Sequence, residues 1–333
     1  MANAELSVAF AGPLVTVQDA GRPGNMRYGV SASGPMDPVA FDAANAALGN
    51  TSGQSVVEIS LGGLILQCRE GDVTVAITGG DFVVAHGASE TRSWTVLTLR
   101  KGERLTIRAG KAGSWAYLAF AGMLEAPVWL NSHATHSTSG FGGGAVKTRQ
   151  SLKVSDAAIR EDRLGDIERP DFPPTGPIRV VIGPQNHHFS DAAIAQFLSS
   201  PFKITDAYDR MGMRLDGPSL ELNSALSIPS EPIVRGSVQV SGDGVPTVLL
   251  ADHQTTGGYP KIATVISADI GRLAQSRAGD MLHFTAITSP QAVTQAREMA
   301  LRKAHYLEHI ATPRGTLAQR LMRENLIHGC IYD

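Results

Sequence analysis

The sequence predicts a mainly β protein, with an antiparallel core and a few peripheral helices. Short segments of alternating or β-branched residues recur along the chain, separated by turns such as Glu70-Gly71-Asp72 and Lys101-Gly102-Glu103. Connections this short cannot hold a crossover helix, so neighbouring strands are expected to pair antiparallel. The 35 glycines among 333 residues and the low aromatic content also indicate many turns.

The predicted strands fall into two blocks. A proline-rich stretch, Glu168 to Pro177, lies between the blocks and marks a change in composition, so we place the domain boundary there. The predicted domains are residues 1–170 and 177–288, followed by a helical C-terminal extension, 289–333. The strands are predicted at 56–61, 72–78, 93–99, 103–108, 114–120, 178–182, 233–240, 246–251, 259–268 and 280–287.

Helices are few, and their ends carry clear signals. Asp37-Pro38 is a typical helix N-terminus, and Gly49 ends the run that follows it. Ser289-Pro290 begins a longer helix that is predicted to reach about Ile310. A last helix is predicted from Thr316 to Ile327, ending at Gly329.

Composition and charge exclude several classes of function. The formal net charge is −2 and no run of Lys or Arg occurs, which argues against binding to nucleic acid or to a membrane surface. Cys68 and Cys330 are far apart, so neither a disulfide framework nor a zinc site is predicted. The N-terminus lacks the features of a signal peptide, and no apolar run approaches the length of a membrane span. We therefore expect a cytoplasmic protein.

The densest group of reactive side chains lies in a polar segment between two predicted strands. Residues 251–260 combine a carboxylate, an imidazole, an amide, two hydroxyls and a phenol with a Gly-Gly pair that permits unusual backbone conformations. Such segments often display functional groups on a rigid scaffold. The alternative is a tight hairpin in which the Thr and Gln side chains bond to their own backbone.

A second cluster lies near the N-terminus. Gln18, Asp19 and Arg22 supply an amide, a carboxylate and a guanidinium within five positions, and Arg22 is suited to bind a carboxylate or a phosphate. The alternative is an Asp19–Arg22 pair that closes a turn. The helix beginning at Asp37 is predicted to point its free amides at the Ser33-Gly34 loop, forming an anion site.

Three further segments carry residues that bear on chemistry. Residues 206–215 carry two arginines and two aspartates on an irregular strand, which form either a site or a surface ladder of ion pairs. Residues 140–148 resemble a phosphate loop but have Val146 where that motif requires glycine, so a lid or a plain surface loop is expected. His133, His136, His187 and His188 lack acidic or thiol companions, so no metal site is predicted.

Motifs that occur in order from about residue 10 to 285 resemble the biotin-dependent carboxyltransferase family, also called allophanate hydrolase subunit 2. This family includes the C subunit of 5-oxoprolinase, the kinase-inhibitor antagonist of sporulating bacteria, and part of urea carboxylase. The residues that carry the resemblance are Gln18-Asp19-x-Gly21-Arg22-x-Gly24, Ser33-Gly34-x-Met36-Asp37, Ala44-Asn45, Gly49-Asn50, Asp209-Arg210-Met211-Gly212, Ser230-Glu231, Gly236-x-x-Gln239-Val240, Asp252-x-Gln254-Thr255-Thr256-Gly257-Gly258-Tyr259-Pro260, Ala274-Gln275 and Gly279-Asp280.

The resemblance implies a pair of cyclophilin-like β-barrel domains and a partner of the subunit-1 type. It implies that Asp252 acts as a base or orienter, Gln254 and the Thr hydroxyls as donors, and Tyr259 as a phenol donor. Arg22 and Arg210 would hold an anionic substituent of the substrate. The complete set of candidate catalytic residues is Asp252, Gln254 and Tyr259, and the candidate substrate-binding residues are Gln18, Asp19, Arg22, Ser33, Arg210, Thr255, Thr256, Gly257 and Gly258.

Three functions are compatible with this resemblance. The first is a subunit of an ATP-dependent 5-oxoprolinase-type amidohydrolase, with ATP bound here or on a partner and with a further lactam-utilisation subunit. The second is a carboxyltransferase component that moves CO₂ to urea or a related amide from carboxybiotin on a separate carrier. The third is a non-catalytic antagonist of a kinase inhibitor.

The chain departs from the family pattern at two places. Gly122 is followed by Met123 where relatives carry Gly-Gly, and Ser132-His133-Ala134-Thr135 replaces Ser-Arg-Ser-Thr. A neutral imidazole cannot reproduce the bidentate fork of arginine, so the second change bears on the substrate.

Overall fold

The N-terminal half of the chain forms two antiparallel sheets. The computed structural model describes residues 2–172, 175–223, 228–315 and 318–319. Its first half contains β1 (Ala4–Ala11), β2 (Thr16–Gln18), β3 (Val56–Ser60), β4 (Leu64–Glu70), β5 (Val73–Thr78), β6 (Val83–His86), β7 (Ser89–Arg92), β8 (Thr95–Leu99), β9 (Arg104–Arg108), β10 (Trp115–Phe120), β11 (Met123–Leu124), β12 (Ser151–Ser155) and β13 (Gly165–Asp166). One sheet has the order β11-β12-β1-β4-β9-β6-β7, and the other has the order β13-β8-β5-β10-β3-β2.

The C-terminal half forms one strongly curved sheet. Its strands are β14 (Ile178–Ile182), β15 (Phe202–Tyr208), β16 (Gly212–Asp216), β17 (Glu231–Pro232), β18 (Ser237–Val240), β19 (Pro246–Leu249), β20 (Thr256–Gly257), β21 (Lys261–Val265), β22 (Met281–Leu282) and β23 (Phe284–Ala286). The order is β22-β15-β16-β19-β18-β21-β14-β23, with β17 and β20 paired apart from it. The two edge strands, β22 and β23, are separated in the sequence only by His283. The sheet must therefore curl until its edges meet. This half is therefore a nearly closed barrel.

The helices are α1 (Pro38–Leu48), α2 (Asp191–Ser199), α3 (Ser267–Ala274) and α4 (Ser289–Ala311), and short 3-10 segments occur at Met26–Tyr28, Glu161–Arg163 and Asn186–His188.

Both ends of α1 lie where the sequence predicts them. The Oδ1 atom of Asp37 accepts hydrogen bonds from the Val39 and Ala40 amides at 3.1 and 3.3 Å. Gly49 closes the helix with a left-handed φ of 70°, a conformation that favours glycine. At the N-terminus of α1, the bonds to Asp37 occupy the Val39 and Ala40 amides. The predicted anion site at this N-terminus is therefore wrong.

The mainly β prediction is confirmed, and most predicted strands match within two residues. The strand predicted over 259–268 was too long, because it ends at Val265 and α3 follows. Only Ser237–Val240 of the predicted strand 233–240 is extended. Residues 206–215 are a hairpin instead of one irregular strand, and β14 pairs with β23 in parallel. The sequence analysis missed α2 and α3, which are short helices of nine and eight residues.

The C-terminal helix α4 packs back across the N-terminal half. Thr288 and Gln291 form a reciprocal capping box at its start. At its end, Arg163 Nη1 donates to the Ala311 carbonyl at 2.8 Å, and Tyr306 donates to the Glu168 carbonyl at 2.7 Å. The helix predicted from Thr316 to Ile327 lies outside the described residues apart from 318–319.

The hydrophobic core is continuous between the two halves. One cluster of buried side chains fills the space between the N-terminal sheets. A second cluster joins α1 and Trp115 to Phe197, Phe202 and other side chains inside the C-terminal barrel. Trp115 Nε1 donates to the Tyr208 hydroxyl across the contact at 2.7 Å. The domain limits at 170 and 177 stay a prediction, but the two halves share one packed interior.

None of the helices in the described part of the chain has the length and apolar character needed to span a bilayer.

Candidate functional site

Two of the predicted clusters meet at the segment 33–36, just before α1. Arg22 Nη1 donates to Ser33 Oγ at 3.1 Å, and Arg210 Nη2 donates to the Gly34 carbonyl at 2.8 Å. Arg235, which the sequence analysis did not select, donates to the next two carbonyls of the segment at 3.1 and 2.7 Å. Three arginines, two of them from the C-terminal half, therefore hold this one short segment.

Arg210 is the centre of a buried charge network. Its Nε and Nη2 atoms donate to the two carboxylate oxygens of Asp252 at 2.9 and 3.0 Å, and Nη1 donates to Glu58. The other oxygen of Glu58 accepts from the Tyr117 hydroxyl at 2.9 Å and from the Met36 amide at 2.8 Å. We call Glu58, Tyr117, Arg210 and Asp252 the junction network, because Glu58 and Tyr117 belong to the N-terminal half and the other two to the C-terminal half.

Asp252 is enclosed and already accepts four hydrogen bonds. It is 0% exposed, and its Oδ2 atom also accepts from the Ser137 amide at 3.0 Å and the Ser137 hydroxyl at 2.7 Å. Burial alone would raise the pKa of Asp252, but the charge and hydrogen bonds of Arg210 hold that pKa well below its usual range. A carboxylate that accepts four hydrogen bonds and is shielded from solvent is a poor base. Of the two roles predicted for Asp252, base or orienter, the geometry therefore favours the orienter.

The same limits apply to Arg210 as an anchor for a substrate anion. Its guanidinium is fully buried and donates to Asp252, Glu58 and the Gly34 carbonyl. The two acidic neighbours raise its pKa above the ordinary value despite the burial. Arg210 therefore holds the two halves together, and the predicted contact with a substrate anion is not supported by this arrangement.

Gln18, Asp19 and Arg22 hold a long loop of the N-terminal half. Asp19 accepts from the Ser132 hydroxyl at 2.6 Å and from the His133 amide at 2.5 Å. Arg22 Nη2 donates to the carbonyl of residue 134, and Gln18 Nε2 donates to that of residue 135 at 3.2 Å. Asp19 and Arg22 thus both bind residues 127–144, here named the Trp129 loop. The Asp19–Arg22 pair, considered from the sequence as the alternative, does not form among the described ion pairs.

The structure accommodates His133 at the position where the family pattern has arginine. Asp19 holds this residue through its backbone amide, and the ring Nδ1 lies 3.3 Å from the Pro127 carbonyl. The loop therefore needs no arginine at this position to keep its shape.

The glycine-rich part of the Trp129 loop is needed for packing. A Cβ atom on Gly142 or Gly143 would overlap the carbonyl of Ala134 or His133, so both positions require glycine. The Gly143 amide already donates to the His133 carbonyl at 2.7 Å, and β12 follows the loop instead of a helix. Both observations oppose phosphate binding here and support the predicted rejection of a phosphate loop.

The segment 250–260 is not the tight hairpin considered from the sequence. It leads from β19 to β21, but β18 lies between these strands and pairs with both. On the way, β20 pairs with β17, and the Gly258 carbonyl accepts from the Ile228 amide at 2.8 Å.

The Gly-Gly pair serves a different purpose from the one expected. Neither Gly257 nor Gly258 has a positive φ, so backbone freedom is not the reason for glycine. A Cβ atom on Gly257 would instead overlap Ile233 Cδ1 and come within 2.6 Å of Gln239 Nε2. A larger residue at position 257 would therefore force the side-chain ends of Ile233 and Gln239 to move.

An open cavity of about 400 Å³ lies beside this segment, and we call it the Tyr259 cavity. Tyr259 is 46% exposed there, and Gln254 Nε2 donates to Gln239 Oε1 at 3.1 Å. Arg214 forms an exposed ion pair with Asp243 at 2.6 Å. The cavity brings together Gln254 and Tyr259 but neither Arg22 nor Arg210. Its lining residues are Ala207, Asp209, Met211, Gly212, Arg214, Gln239, Ser241, Thr247, Leu249, Gln254 and Tyr259.

Thr255, Thr256, Gly257 and Gly258 form the backbone beside the cavity but do not line it. The Thr255 carbonyl accepts from the Ile233 amide at 3.0 Å, and Thr256 is exposed in β20. Their roles in substrate binding stay predictions.

Lys261 is a candidate that the sequence analysis missed. The residue is 3% exposed, and its Nζ atom has no hydrogen-bond partner among the described residues. Glu231 Oε2 lies 3.9 Å away, and burial lowers the pKa of the amine. A buried amine with a shifted pKa is a frequent mark of a functional site, but in the sequence this lysine looks like an ordinary strand residue.

The described part of the chain contains no group of three or more His, Cys, Asp or Glu side chains that would suit a metal ion.

Comparison with known proteins identifies relatives that match most of the chain. The model of the carboxyltransferase domain, subdomain A and B, matches residues 28–286. The chain is 33% identical to the C subunit of 5-oxoprolinase from Haemophilus influenzae and 34% identical to that from Escherichia coli. These alignments cover 89% and 92% of this chain and 94% and 97% of the relatives. It is also 27% identical to urea amidolyase of Lachancea kluyveri, covering 87% of this chain but 17% of that protein.

Solved structures agree with this relationship. The crystal structure of TTHA0988 superimposes with a TM-score of 0.75 at 31% identity, covering 85% of this chain. The urea amidolyase of K. lactis gives a TM-score of 0.80 at 24% identity, which shows a shared fold, and covers 92% of this chain. This chain spans 56% of the TTHA0988 chain and 20% of the yeast chain, so both relatives carry further sequence. The chain therefore belongs to the family of the carboxyltransferase domain, subdomain A and B, together with proteins named as the C subunit of 5-oxoprolinase and as urea amidolyase.

Proposed function

We propose that this chain is a subunit of an ATP-dependent 5-oxoprolinase-type amidohydrolase that opens a small cyclic amide together with a subunit-1-type partner. The carrying observation is the extent of similarity to the C subunit of 5-oxoprolinase. This chain covers 94% of the Haemophilus influenzae protein, but only 17% of the Lachancea kluyveri urea amidolyase. The similarity therefore extends over nearly the whole of the C subunit, and its 33% identity is higher than the 27% identity to the urea amidolyase.

The Tyr259 cavity is the proposed site for the amide. Its volume of about 400 Å³ suits a small molecule. Gln254 and Tyr259 would donate hydrogen bonds to the amide oxygen, where negative charge develops during the reaction. Arg214 is the accessible guanidinium in the lining and would exchange its exposed partner Asp243 for the carboxylate of 5-oxoproline. Asp252 would act indirectly, by holding Arg210 and the start of the 252–260 segment.

ATP is proposed to bind on a partner subunit. Phosphate groups in proteins are commonly held by glycine-loop amides or by a free helix N-terminus. In this chain the Gly143 amide and the first amides of α1 bond to protein atoms. The partners are expected to be the subunit-1-type protein and a lactam-utilisation-type subunit.

The test is 5-oxoproline-dependent ATP hydrolysis by this chain mixed with both partners from the same genome. Turnover is expected only with all components present. Tyr259→Phe is expected to lower kcat about 10²-fold, in the range for losing one donor to a developing oxyanion. Leu301→Asn, an exposed substitution on α4, is the control. Full turnover by Tyr259→Phe would exclude the phenol as donor.

Carboxyl transfer is the second candidate, because the matching family model is that of a carboxyltransferase domain. In that reaction the Tyr259 cavity would take urea or a related amide, and carboxybiotin would arrive on a separate carrier. If the complex assembles but leaves 5-oxoproline and ATP unchanged, urea-dependent decay of carboxybiotin becomes the decisive assay. Assembly without either activity would instead favour the non-catalytic antagonist of a kinase inhibitor.

A further inference from the structure

Another open cavity, of about 500 Å³, lies between the first turns of α4 and the barrel strands β14 and β21, and we call it the Arg235 cavity. Cavities of this size commonly hold small molecules. It shares no lining residue with the Tyr259 cavity. Most of its wall is aliphatic and includes the side chains of Pro38, Val181, Val265, Ile270, Ala292 and Val293. A ligand bound here would therefore present an apolar body to the protein.

Arg235 gives the cavity a positive charge. Its Nη1 and Nη2 atoms donate to the carbonyls of Pro35 and Met36 at 3.1 and 2.7 Å, and its buried Nε atom has no hydrogen-bond partner among the described residues. Burial and the nearby charge of Arg210 lower the pKa of Arg235. No acidic side chain is among the described lining residues. A buried guanidinium that bonds only to neutral carbonyls is stabilised by an added carboxylate.

The start of α3 adds a second source of positive potential. Ile266 occupies the N-cap position, where its side chain cannot accept a hydrogen bond. Ile266 and Ser267, the first residue of the helix, both line the cavity. The Asp269 carboxylate in the first turn already bonds to two arginines. Because the N-terminal end of a helix carries partial positive charge, α3 and Arg235 favour the same sign of ligand.

We infer that the Arg235 cavity binds a small monocarboxylate with a branched or aromatic apolar body. The carboxylate is expected to lie toward Arg235 and the start of α3, and the apolar body to lie against the aliphatic wall. A second charged group on the ligand would have to be buried against that wall without a partner, which is costly. Because the two cavities share no lining residue, binding here does not depend on the proposed function.

A ligand in the Arg235 cavity would act on the junction network through the segment 33–36. Arg235 holds the Met36 carbonyl, while the Met36 amide donates to Glu58 at 2.8 Å. The Gly34 carbonyl of the same segment accepts from Arg210 at 2.8 Å. A carboxylate that stabilises Arg235 therefore stabilises the contact between the two halves. Saturating ligand is expected to raise the melting temperature, as for any ligand that binds only the folded chain.

The test measures the binding of isocaproate and phenylacetate to this chain by titration calorimetry. At least one of these acids is expected to bind at one site per chain, with a Kd below about 1 mM. Isocaproamide and phenylacetamide keep the two shapes without the charge, and each is expected to bind at least tenfold more weakly than its acid. Arg235→Gln is expected to remove this preference for the acid.

A variant that fills the cavity keeps the test independent of Arg235, whose loss would also release the segment 33–36. Ala292→Phe places a bulky side chain in the lining and is expected to weaken binding of the acid at least tenfold, with an unchanged melting temperature in the absence of ligand. Ala304→Phe makes the same substitution at an exposed position of α4 outside the cavity. This matched control is expected to bind like the unaltered chain.

Three results would each overturn the inference. The first is that neither acid binds saturably to the folded chain. The second is that acid and amide bind equally, which would mean that the cavity does not select an anion. The third is that Ala292→Phe binds the acid as tightly as Ala304→Phe, which would place the ligand elsewhere. None of these measurements needs a partner subunit or turnover of 5-oxoproline, so the proposed function can fail while this site stands.

Discussion

Arg210 places one positive charge between two carboxylates in the interior of the protein. Glu58 and Asp252 are both fully buried, so neither can exchange its partner for water. Arg22 and Arg235 lie nearby and bond to neutral oxygens instead of carboxylates. A buried charge without its partner is costly, so each member of the junction network depends on the others.

Asp252→Asn is therefore expected to destabilise the fold by about 3–5 kcal/mol, the cost of breaking a buried ion pair. Asp243→Asn is the matched control, because Asp243 also pairs with an arginine but is 51% exposed in its side chain. That variant is expected to change stability by about 1 kcal/mol or less. Urea unfolding at pH 7 measures both. Equal effects would mean that the junction network contributes no more than a surface pair.

The pH dependence provides a second readout of the same substitution. The pKa of Asp252 is depressed in the folded protein, so between that pKa and the unfolded value of about 3.9 the unfolded chain binds more protons. The stability contributed by Asp252 is complete above this window and is lost as the pH falls through it. Below about pH 4, Asp252→Asn is expected to lose stability less steeply than the unaltered chain. If stability falls equally steeply with pH in the two proteins, the depressed pKa assigned to Asp252 is contradicted.

At the scale of elements, the sequence was most informative where the pattern is local. The caps of α1 at Asp37 and Gly49 and the start of α4 near Ser289 followed from single residues with known preferences. β5 followed from a β-branched run, and β10 followed from an apolar run rich in aromatic residues. α3 was missed, because no side-chain cap marks its start and the strand predicted for β21 ran on to Ala268.

The candidate site was less predictable than the strands, because its contacts join distant segments. Arg210 and Asp252 were selected as functional residues from their types and motifs. Nothing local indicates that Arg210 pairs with Glu58, 152 positions away. The same holds for Lys261, because nothing local indicates that its amine is buried beside Glu231, 30 positions away. Sequence patterns thus selected candidate residues but did not indicate whether their side chains face solvent.

Gly257 tests the close approach of β20 to its neighbours. Gly257→Ala is expected to destabilise the protein by about 1–3 kcal/mol, because the new methyl group overlaps Ile233 Cδ1. Ile233→Val removes that Cδ1 atom. The double variant is therefore expected to be more stable than the two separate effects predict. A double-mutant cycle from urea unfolding measures the difference. Strict additivity would show that the glycine is needed for another reason.

At the scale of the whole molecule, the two halves are expected to unfold as one unit. A chain of 333 residues would ordinarily be expected to show intermediates, since two-state behaviour is typical of single domains below about 150 residues. Here one core cluster extends from α1 into the C-terminal barrel. Gln275 adds polar links: its Oε1 accepts from the Ser114 and Trp115 amides at 2.9 and 3.0 Å, and its Nε2 donates to Asp37 at 2.9 Å.

Scanning calorimetry is expected to show one transition, with calorimetric and van't Hoff enthalpies that agree. Gln275→Ala leaves the Ser114 and Trp115 amides without their acceptor, so it is expected to cost about 2–3 kcal/mol and to shift the whole transition to lower temperature. Gln67→Ala, which removes a long 3.4 Å hydrogen bond within the N-terminal half, is the control and is expected to shift it little. Two resolved transitions, with only one moved by Gln275→Ala, would mean that the halves are independent. In that case, the buried charges of the junction network would form a separable interface instead of part of a common core.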